Sequence, residues 1–318
     1  MTTLPHTPIA LPQHIDSTML SSFRSCPRKF FWSHIRGLHP RSRSADLHAG
    51  GCFASALERF YHELSKGKTV DESKLAMFST FTREWGDYVA PDKNPKSQDN
   101  MWVALDDYVR TYPPAIDRFQ FLKNPDGSPT AEFSFAIPLD FDGFPLHPSG
   151  EPFIYTGRTD GLGLYDGKIL CFKDEKTTKS IGARWADQWN LRGQFIGYTW
   201  AGKMSGMDIE HILVRGIGIL MREIKQIEIL KHYSQVLRDR WFKQLCEDLI
   251  RLRRCWDSGF FDMNFGESCT AYGACPYVPL CESPNPEAWT DTYEVRFWDP
   301  TKRTPLDETE PPKESVTA

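Results

Sequence analysis

The chain has 318 residues, 40 % of them apolar and 25 % charged, and a formal net charge of −4, which reads as a soluble globular protein with room for a substantial core. No apolar run is long enough to span a bilayer, since the longest, Ile209 to Met221, is broken by Glu210, His211 and Arg215. The first thirteen residues lack the basic-then-apolar pattern of a secretory leader, so a cytoplasmic protein with no membrane contact is expected.

In chain order, residues 14–38 read as helical. A short turn should end near Arg24 and a longer helix should begin at Pro27, because proline suits a first helical position and not an interior one. Phe30, Phe31, Ile35 and Leu38 supply its apolar stripe, and Gly37 and Pro40 end it. A second helix is predicted from about Phe53 to Leu64, and residues 70–120 read as helices and loops. From Ala131 the period changes to two. Strands are predicted at Ala131–Leu139, Ile154–Asp160, Leu162–Tyr165 and Lys168–Lys176, followed by a helix from about Ala183 to Met204. Two more strands, near His211–Met221 and Lys225–Tyr233, precede a long helix ending near Ser258. The order predicts an α/β fold, a mixed central β-sheet wrapped by N- and C-terminal helices.

Four regions follow: an N-terminal helical part (1–130), a sheet core (131–235), a C-terminal helix with a cysteine-rich segment (236–283) and an acidic tail (284–318). The span 14–283 reads as one integrated domain. Past Pro300 the Pro-, Glu-, Thr- and Lys-rich tail reads as disordered.

Charge is unevenly spread. Residues 282–318 hold nine acids and four bases, which leaves 34 bases against 33 acids in the preceding 281 residues. Bases gather at Arg24, Arg28, Lys29, Arg36, Arg41 and Arg43, and again from Arg238 to Arg254. Such clusters suit phosphate contacts, or else form solvated helix faces.

The sharpest chemical signal is Gly157-Arg158-Thr159-Asp160 followed by Asp174-Glu175-Lys176-Thr177. Strand alternation puts Asp174 and Lys176 on one face and turns Glu175 away. A hard oxygen ligand beside a cation is what metal-assisted phosphodiester hydrolysis needs. Asp160 joins that face if a three-residue hairpin loop pairs Leu164 with Lys168. A two-residue loop would put Asp160 on the wrong face.

Eight cysteines in a cytoplasmic chain argue against disulfides and for metal ligation or burial. Cys269, Cys275 and Cys281 are evenly spaced in a Gly/Pro-containing loop, and Cys26 immediately precedes Pro27 at a helix start, where the helix dipole favours a thiolate. Iron–sulfur and zinc both suit four thiolates. Cys52, Cys171, Cys246 and Cys255 lie in apolar segments and read as buried.

These segments resemble the PD-(D/E)XK nuclease superfamily, in particular its RecB-like exonuclease branch with CRISPR-associated and phage-encoded members, over most of residues 17–283. Asp160 matches the aspartate after Gly-x-x, Asp174-x-Lys176-Thr177 the D-x-K-T motif, and Gln194 and Tyr198 the Q-x3-Y helix. Cys26-Pro27-Arg28-Lys29-Phe30 and the C-terminal cysteine trio match a four-cysteine [4Fe–4S] arrangement that staples the chain ends, although the first gap of the trio is five residues rather than two. One position departs from the pattern: Ala54 stands where the helix motif has a metal-binding histidine, and Glu58 is the replacement ligand.

The resemblance implies a restriction-endonuclease-like core and an Mg²⁺- or Mn²⁺-dependent DNA exonuclease serving recombination or repair. Glu58, Asp160, Asp174 and the Glu175 carbonyl would bind metal, and Lys176 would orient or activate water. Gln194 and Tyr198 would support the site, and Arg28, Lys29 and Arg158 would contact nucleic acid. Partners would be DNA and recombination or replication proteins. The alternatives are a catalytically inactive DNA-binding or scaffolding subunit of the same fold, and a zinc-stabilised interaction protein.

Overall fold

The computed structural model describes residues 9–42, 44–270 and 274–301; Arg43 and the tail from residue 302, including the part expected to be disordered, lie outside the described residues. The N-terminal segment forms a two-residue strand β1 (His14–Ile15) and helix α1 (Ser17–Ser25). Asp16 caps α1 by accepting the Met19 N–H at 2.8 Å. Pro27 opens α2 (Pro27–Phe30), where its missing N–H costs no helical bond. The chain then widens into a π-turn over Phe31–Ile35, closed by the Arg36 N–H donating five residues back to the Phe31 carbonyl. Gly37, at φ 62°, redirects it into β2 (Leu38–Pro40).

Three helices follow: α3 (Ala45–Ser65), α4 (Val70–Trp85) and α5 (Gln98–Thr111). α3 begins eight residues before the expected Phe53, because Ser44 caps it and the Gly50-Gly51 pair is absorbed into the helix rather than breaking it. α4 opens on a capping box between Thr69 and Glu72.

A short strand β3 (Phe119–Phe121), not foreseen from its three residues, precedes β4 (Phe133–Pro138), β5 (Ile154–Thr159), β6 (Gly161–Tyr165) and β7 (Ile169–Thr178). The helix expected from Ala183 starts ten residues later, as α6 (Gly193–Met204). Residues before it coil tightly, including a 3₁₀ turn at Asp187–Trp189, so that Trp185 and Trp189 both bury their rings. The Tyr233 hydroxyl fixes that turn by donating to the Trp189 carbonyl. Strands β8 (His211–Ile219) and β9 (Ile224–His232) lead into α7 (Gln235–Ser258), which ends at Gly259 in the left-handed region. Beyond it lie α8 (Glu267–Thr270), α9 (Val278–Glu282), a 3₁₀ turn and β10 (Tyr293–Val295).

The strands form a five-stranded sheet in the order β3-β6-β7-β8-β9, a three-stranded sheet β1-β5-β4, and a ribbon of β10 with β2. The larger sheet is mixed: β7 and β8 run parallel, and its other pairs are antiparallel. One core packs α1, α6 and α7 through Phe23, Phe195, Tyr198, Trp241 and Leu245 against Phe172, Ile212 and Val214. A second packs α3, α4 and α5 through Phe53, Phe60, Phe81 and Tyr108 against Ile217 and Ile219. β8 is therefore covered on both faces, which is why its sequence runs nearly continuously apolar, whereas β7 is apolar only in its first half, Ile169 to Phe172, and charged beyond it. Among the described residues no helix is long and apolar enough to cross a membrane.

Candidate active site

Asp160 is the single residue between β5 and β6, and β5 belongs to the small sheet while β6 belongs to the large one. The chain changes sheet at this aspartate. Close packing around it requires glycines. A Cβ on Gly157 would lie 2.3 Å from the Phe135 ring and 3.0 Å from Tyr198, and one on Gly161 would lie 2.6 Å from Phe121.

The β6–β7 hairpin has a three-residue loop, Asp166–Lys168, with Tyr165 opposite Ile169 rather than Leu164 opposite Lys168. The register thus differs from the expected one by two residues. Asp166 and Gly167 both take positive φ, so the loop uses two left-handed residues instead of one. A two-residue shift preserves the face, and Asp160 still arrives beside Asp174. The Glu175 N–H donates to Asp160 Oδ2 at 2.8 Å. In a strand one residue's N–H and C=O point to the same edge, so the Glu175 carbonyl also faces the side where β6 has already ended.

On the α6 face of β7, Lys176 Nζ lies 2.6 Å from Asp174 Oδ1 and 5.8 Å from the centre of the Phe195 ring. Asp174 is 3 % exposed, and its Oδ1 makes no aligned hydrogen bond despite that ion pair. It is not the solvent-reachable group its motif suggests. Burial, with Asp174 and Glu175 adding repulsion, pushes Asp160 well above the usual carboxylate range. Burial also raises Asp174, against the pull of Lys176 and Arg192. Burial works against the Lys176 ammonium, yet Asp174 and Asp160 outweigh it and hold its pKa above the ordinary value. Two buried, mutually repelling carboxylates with an underused oxygen suit a hard dication, and Mg²⁺ commonly takes only one or two carboxylates with waters and substrate oxygens. Gln194 Nε2 donates to the Tyr198 hydroxyl at 2.8 Å, and Tyr198 sits in the electrostatic field of Asp174.

The opposite face of β7 holds a feature the motif did not reveal. Glu175 points away from Asp174, as alternation requires, but its side chain is engaged. It accepts from the Tyr108 hydroxyl at 2.6 Å and pairs with Lys173 at 2.5 Å, and both partners are almost fully buried. Lys173 lies over the rings of Tyr61 and Phe121 at 4.5 and 4.4 Å. Arg215 continues the network, donating to Tyr108, Asp117 and Glu228. The parity of Lys173 with Glu175 on one strand was the available clue.

Glu58, Arg158, Asp160, Lys173 and Glu175 line a cleft of about 210 Å³ between α3 and the sheet. Ala54 lines it too, where a histidine was expected from the motif. Asp174 is not among the lining residues, so Glu58 shares a cleft with Asp160 and Glu175 but does not complete a set with Asp174. Among the described residues no three His, Cys, Asp or Glu groups stand close enough together to hold a metal ion. Arg158 pairs with Glu132 at 3.2 Å. Arg28 and Lys29 lie on α2, away from the cleft, where the Arg28 guanidinium stacks near Phe31. Arg192, just ahead of α6, also acts on Asp174 as a second cation near the Lys176 pair.

The four cysteines come from segments that pack together. Cys26 Sγ accepts the Asn264 N–H at 3.4 Å, and the Cys275 N–H donates to the Cys269 carbonyl at 2.8 Å. Burial raises the Cys281 thiol, and Cys275 and Cys26 add to that. Cys52, Cys171 and Cys255 are buried as expected, but Cys246 is only half-buried, its thiol donating to the Gly143 carbonyl.

Comparison with known proteins gives one family match: the model described as the PD-(D/E)XK nuclease superfamily covers residues 17–282. Among solved structures, the chain is similar to a candidate exonuclease of Eubacterium rectale, with 12 % identity and a TM-score of 0.47 over 81 % of this chain and 86 % of that one. It is also similar to the protein SSO0001, with 14 % identity and a TM-score of 0.28 over 62 % of this chain and 74 % of that one. A search of curated proteins gave no match.

Proposed function

The chain belongs to the PD-(D/E)XK nuclease superfamily, and from that premise we propose that it is an Mg²⁺- or Mn²⁺-dependent deoxyribonuclease of the RecB-like branch, acting as an exonuclease in DNA recombination or repair and most akin to phage-encoded members. The observation that carries this reading is the corner where the Glu175 N–H holds Asp160 beside the Asp174–Lys176 pair. Asp160, Asp174 and the Glu175 carbonyl would hold the cation, with Glu58 reaching from the adjoining cleft. When bound, the cation supplies charge neutralisation at the scissile phosphate and lowers the pKa of water.

The chain's own residues do the rest. The Lys176 ammonium, kept charged by its two carboxylate neighbours, orients the attacking water and offsets charge that develops on the phosphate oxygens. Gln194 holds the Tyr198 hydroxyl in place over the same corner. Arg158, with Arg28 and Lys29 further off, contacts the DNA backbone. Cys26, Cys269, Cys275 and Cys281 would hold a [4Fe–4S] cluster. Support comes from the packing of their segments, in which Cys26 and Cys275 both act on the Cys281 thiol. Anaerobically purified protein should contain iron and sulfide; stoichiometric zinc without either would sink the cluster.

A second reading, a DNA-binding subunit of the same fold without turnover, is favoured by Ala54 at the usual histidine position and by the incomplete carboxylate set. Digestion of end-labelled DNA with added Mg²⁺ or Mn²⁺ decides. Progressive release from one end supports the exonuclease, whereas binding without cleavage under both metals supports the subunit.

A further inference from the structure

The N-terminal turn of α6 gathers hydrogen-bond donors that lack an acceptor. No side chain caps this helix, and the Arg192 carbonyl at the cap already accepts the N–H groups of Phe195 and Ile196. A Cβ built on Gly193 would lie 3.3 Å from Arg24 Nη1 and 3.8 Å from Trp241 Nε1. Trp241 is 6 % exposed, and its indole N–H has no hydrogen-bond partner among the described residues. A buried donor left unpaired is costly, so its orientation toward this turn calls for an acceptor. Arg24 is held there by Asp248, through Nε at 2.7 Å and Nη2 at 2.6 Å. Gln244 in turn fixes Asp248 by donating at 3.0 Å. Arg192 adds a second guanidinium at the helix cap. It is exposed, lies 5.9 Å from the Trp189 ring, and forms no ion pair among the described residues.

We propose that this turn is a phosphate subsite for the DNA strand, formed by the free N–H groups at the start of α6, the guanidinium groups of Arg24 and Arg192, and the Trp241 indole N–H. An anion at a helix N-terminus is favoured by the dipole and by unsatisfied N–H groups, and two guanidinium groups match phosphate geometry. The subsite deepens, and rests on, the nuclease reading. Phe195, whose ring lies beneath Lys176, is two residues further along α6, about 3 Å along the axis. A phosphate held here therefore belongs to a nucleotide next to the one being cleaved.

Binding measured without divalent metal separates this proposal from the chemistry. A short fluorescein-labelled oligonucleotide is the probe, and inorganic phosphate the competitor. Arg192→Gln should raise Kd about tenfold at low salt and reduce the slope of log Kd against log salt by about 1. Gly193→Ala, which crowds Arg24 Nη1 without changing charge, should weaken binding and leave the slope unaltered. Lys203→Gln, at the far end of the same helix, should change neither. Oligonucleotides ending in 5′-phosphate, 3′-phosphate or only hydroxyls identify the source. An Arg192 effect confined to one phosphorylated end assigns a strand terminus, and an equal effect on all three assigns an internal phosphodiester. Unchanged Kd and slope in Arg192→Gln, or an equal loss in Lys203→Gln, would overturn the subsite. Wild-type protein that binds through Arg192 yet never cleaves removes the nuclease reading and leaves the subsite standing. Protein that cleaves but binds indifferently to Arg192 does the reverse.

Discussion

The carboxylate corner and the joined chain ends both bring separated residues together, over very different separations. Asp160 and Glu175 are 15 positions apart and meet through one hairpin. At the chain ends, Tyr277 donates to the Leu38 carbonyl across 239 positions, Asn264 to the Ser25 carbonyl across 239, and Arg36 to Glu287 across 251. The first is a short loop closure, while the second closes nearly the whole chain and must hold it against a larger entropy. Accordingly the corner relies on ladder register and two glycines. The ends use a packed cluster of Trp32, Leu38, Tyr277, Leu280 and Tyr293, a two-strand ribbon and several hydrogen bonds. The ends are thus pinned by protein contacts whether or not four thiolates hold a cluster between them.

The comparison breaks hardest at Asp174. If the corner is the reaction centre, Asp174→Asn should lower the cleavage rate of end-labelled DNA ~10²-fold or more, because a site-built charge arrangement is lost. The chain ends should be untouched, which the fold's thermal transition will show. Cleavage within a few-fold of wild type by a folded variant would place the chemistry elsewhere.

Glu175 sharpens the contrast within the corner. The strand pattern alone makes Glu175→Gln a harmless control, since only the backbone of Glu175 faces Asp160. The buried pair with Lys173 changes that. Removing one charge leaves the other stranded and should cost about 3 kcal/mol in urea unfolding. Lys173→Met with Glu175→Gln should recover most of the loss. If the single variant is as stable as wild type, the pair contributes nothing and the network behind β7 is incidental.

These two variants also mark what the sequence made legible. Period-two alternation was enough to place Asp174, Lys176 and Asp160 on one face, and it survived a register error because the error was even. It could not reveal Lys173, Tyr108 and Arg215, whose meeting depends on how α5 and β8 pack against β7. Nor could it give the start of α6, where two tryptophans overrode a helical pattern. At the ends, Cys26 and the later cysteines were visible as residue types, but β10 against β2 was not. A three-residue strand has too little pattern, and its partner lies about 250 residues away.

The chain ends carry a pH signature of their own. His34, on the π-turn, is half-buried with its Nδ1 unpaired among the described residues, and burial, aided by His39 and Lys29, lowers its pKa to about 4. The unfolded chain takes up this proton near pH 6.5 and the folded chain only near pH 4. Between those values the unfolded state binds more protons, so stability falls as pH drops through the window, by up to about 3 kcal/mol. His34→Phe should flatten the dependence measured by urea unfolding across that range. An unchanged slope would show that His34 titrates alike in both states.

Tyr277 tests the closure most gently. Its hydroxyl is buried and donates to the Leu38 carbonyl at 2.7 Å, and its ring stacks on Tyr293 at 5.8 Å. Tyr277→Phe keeps the ring and removes one hydrogen bond, leaving that carbonyl short of a partner. The expected loss is about 1 kcal/mol, because β2–β10 pairing and the Arg36–Glu287 contact remain. Hydrogen exchange gives the sharper readout. Amides of Leu38, His39 and residues 293–295 should lose protection in Tyr277→Phe, while β7 amides around Glu175 should keep theirs. If protection falls equally in both places, the ends and the corner unfold as one unit, and the separation between a local and a long-range closure is not energetic. If only the ends loosen, DNA cleavage should persist at the wild-type rate, since nothing in the Asp160–Asp174–Lys176 corner touches Tyr277.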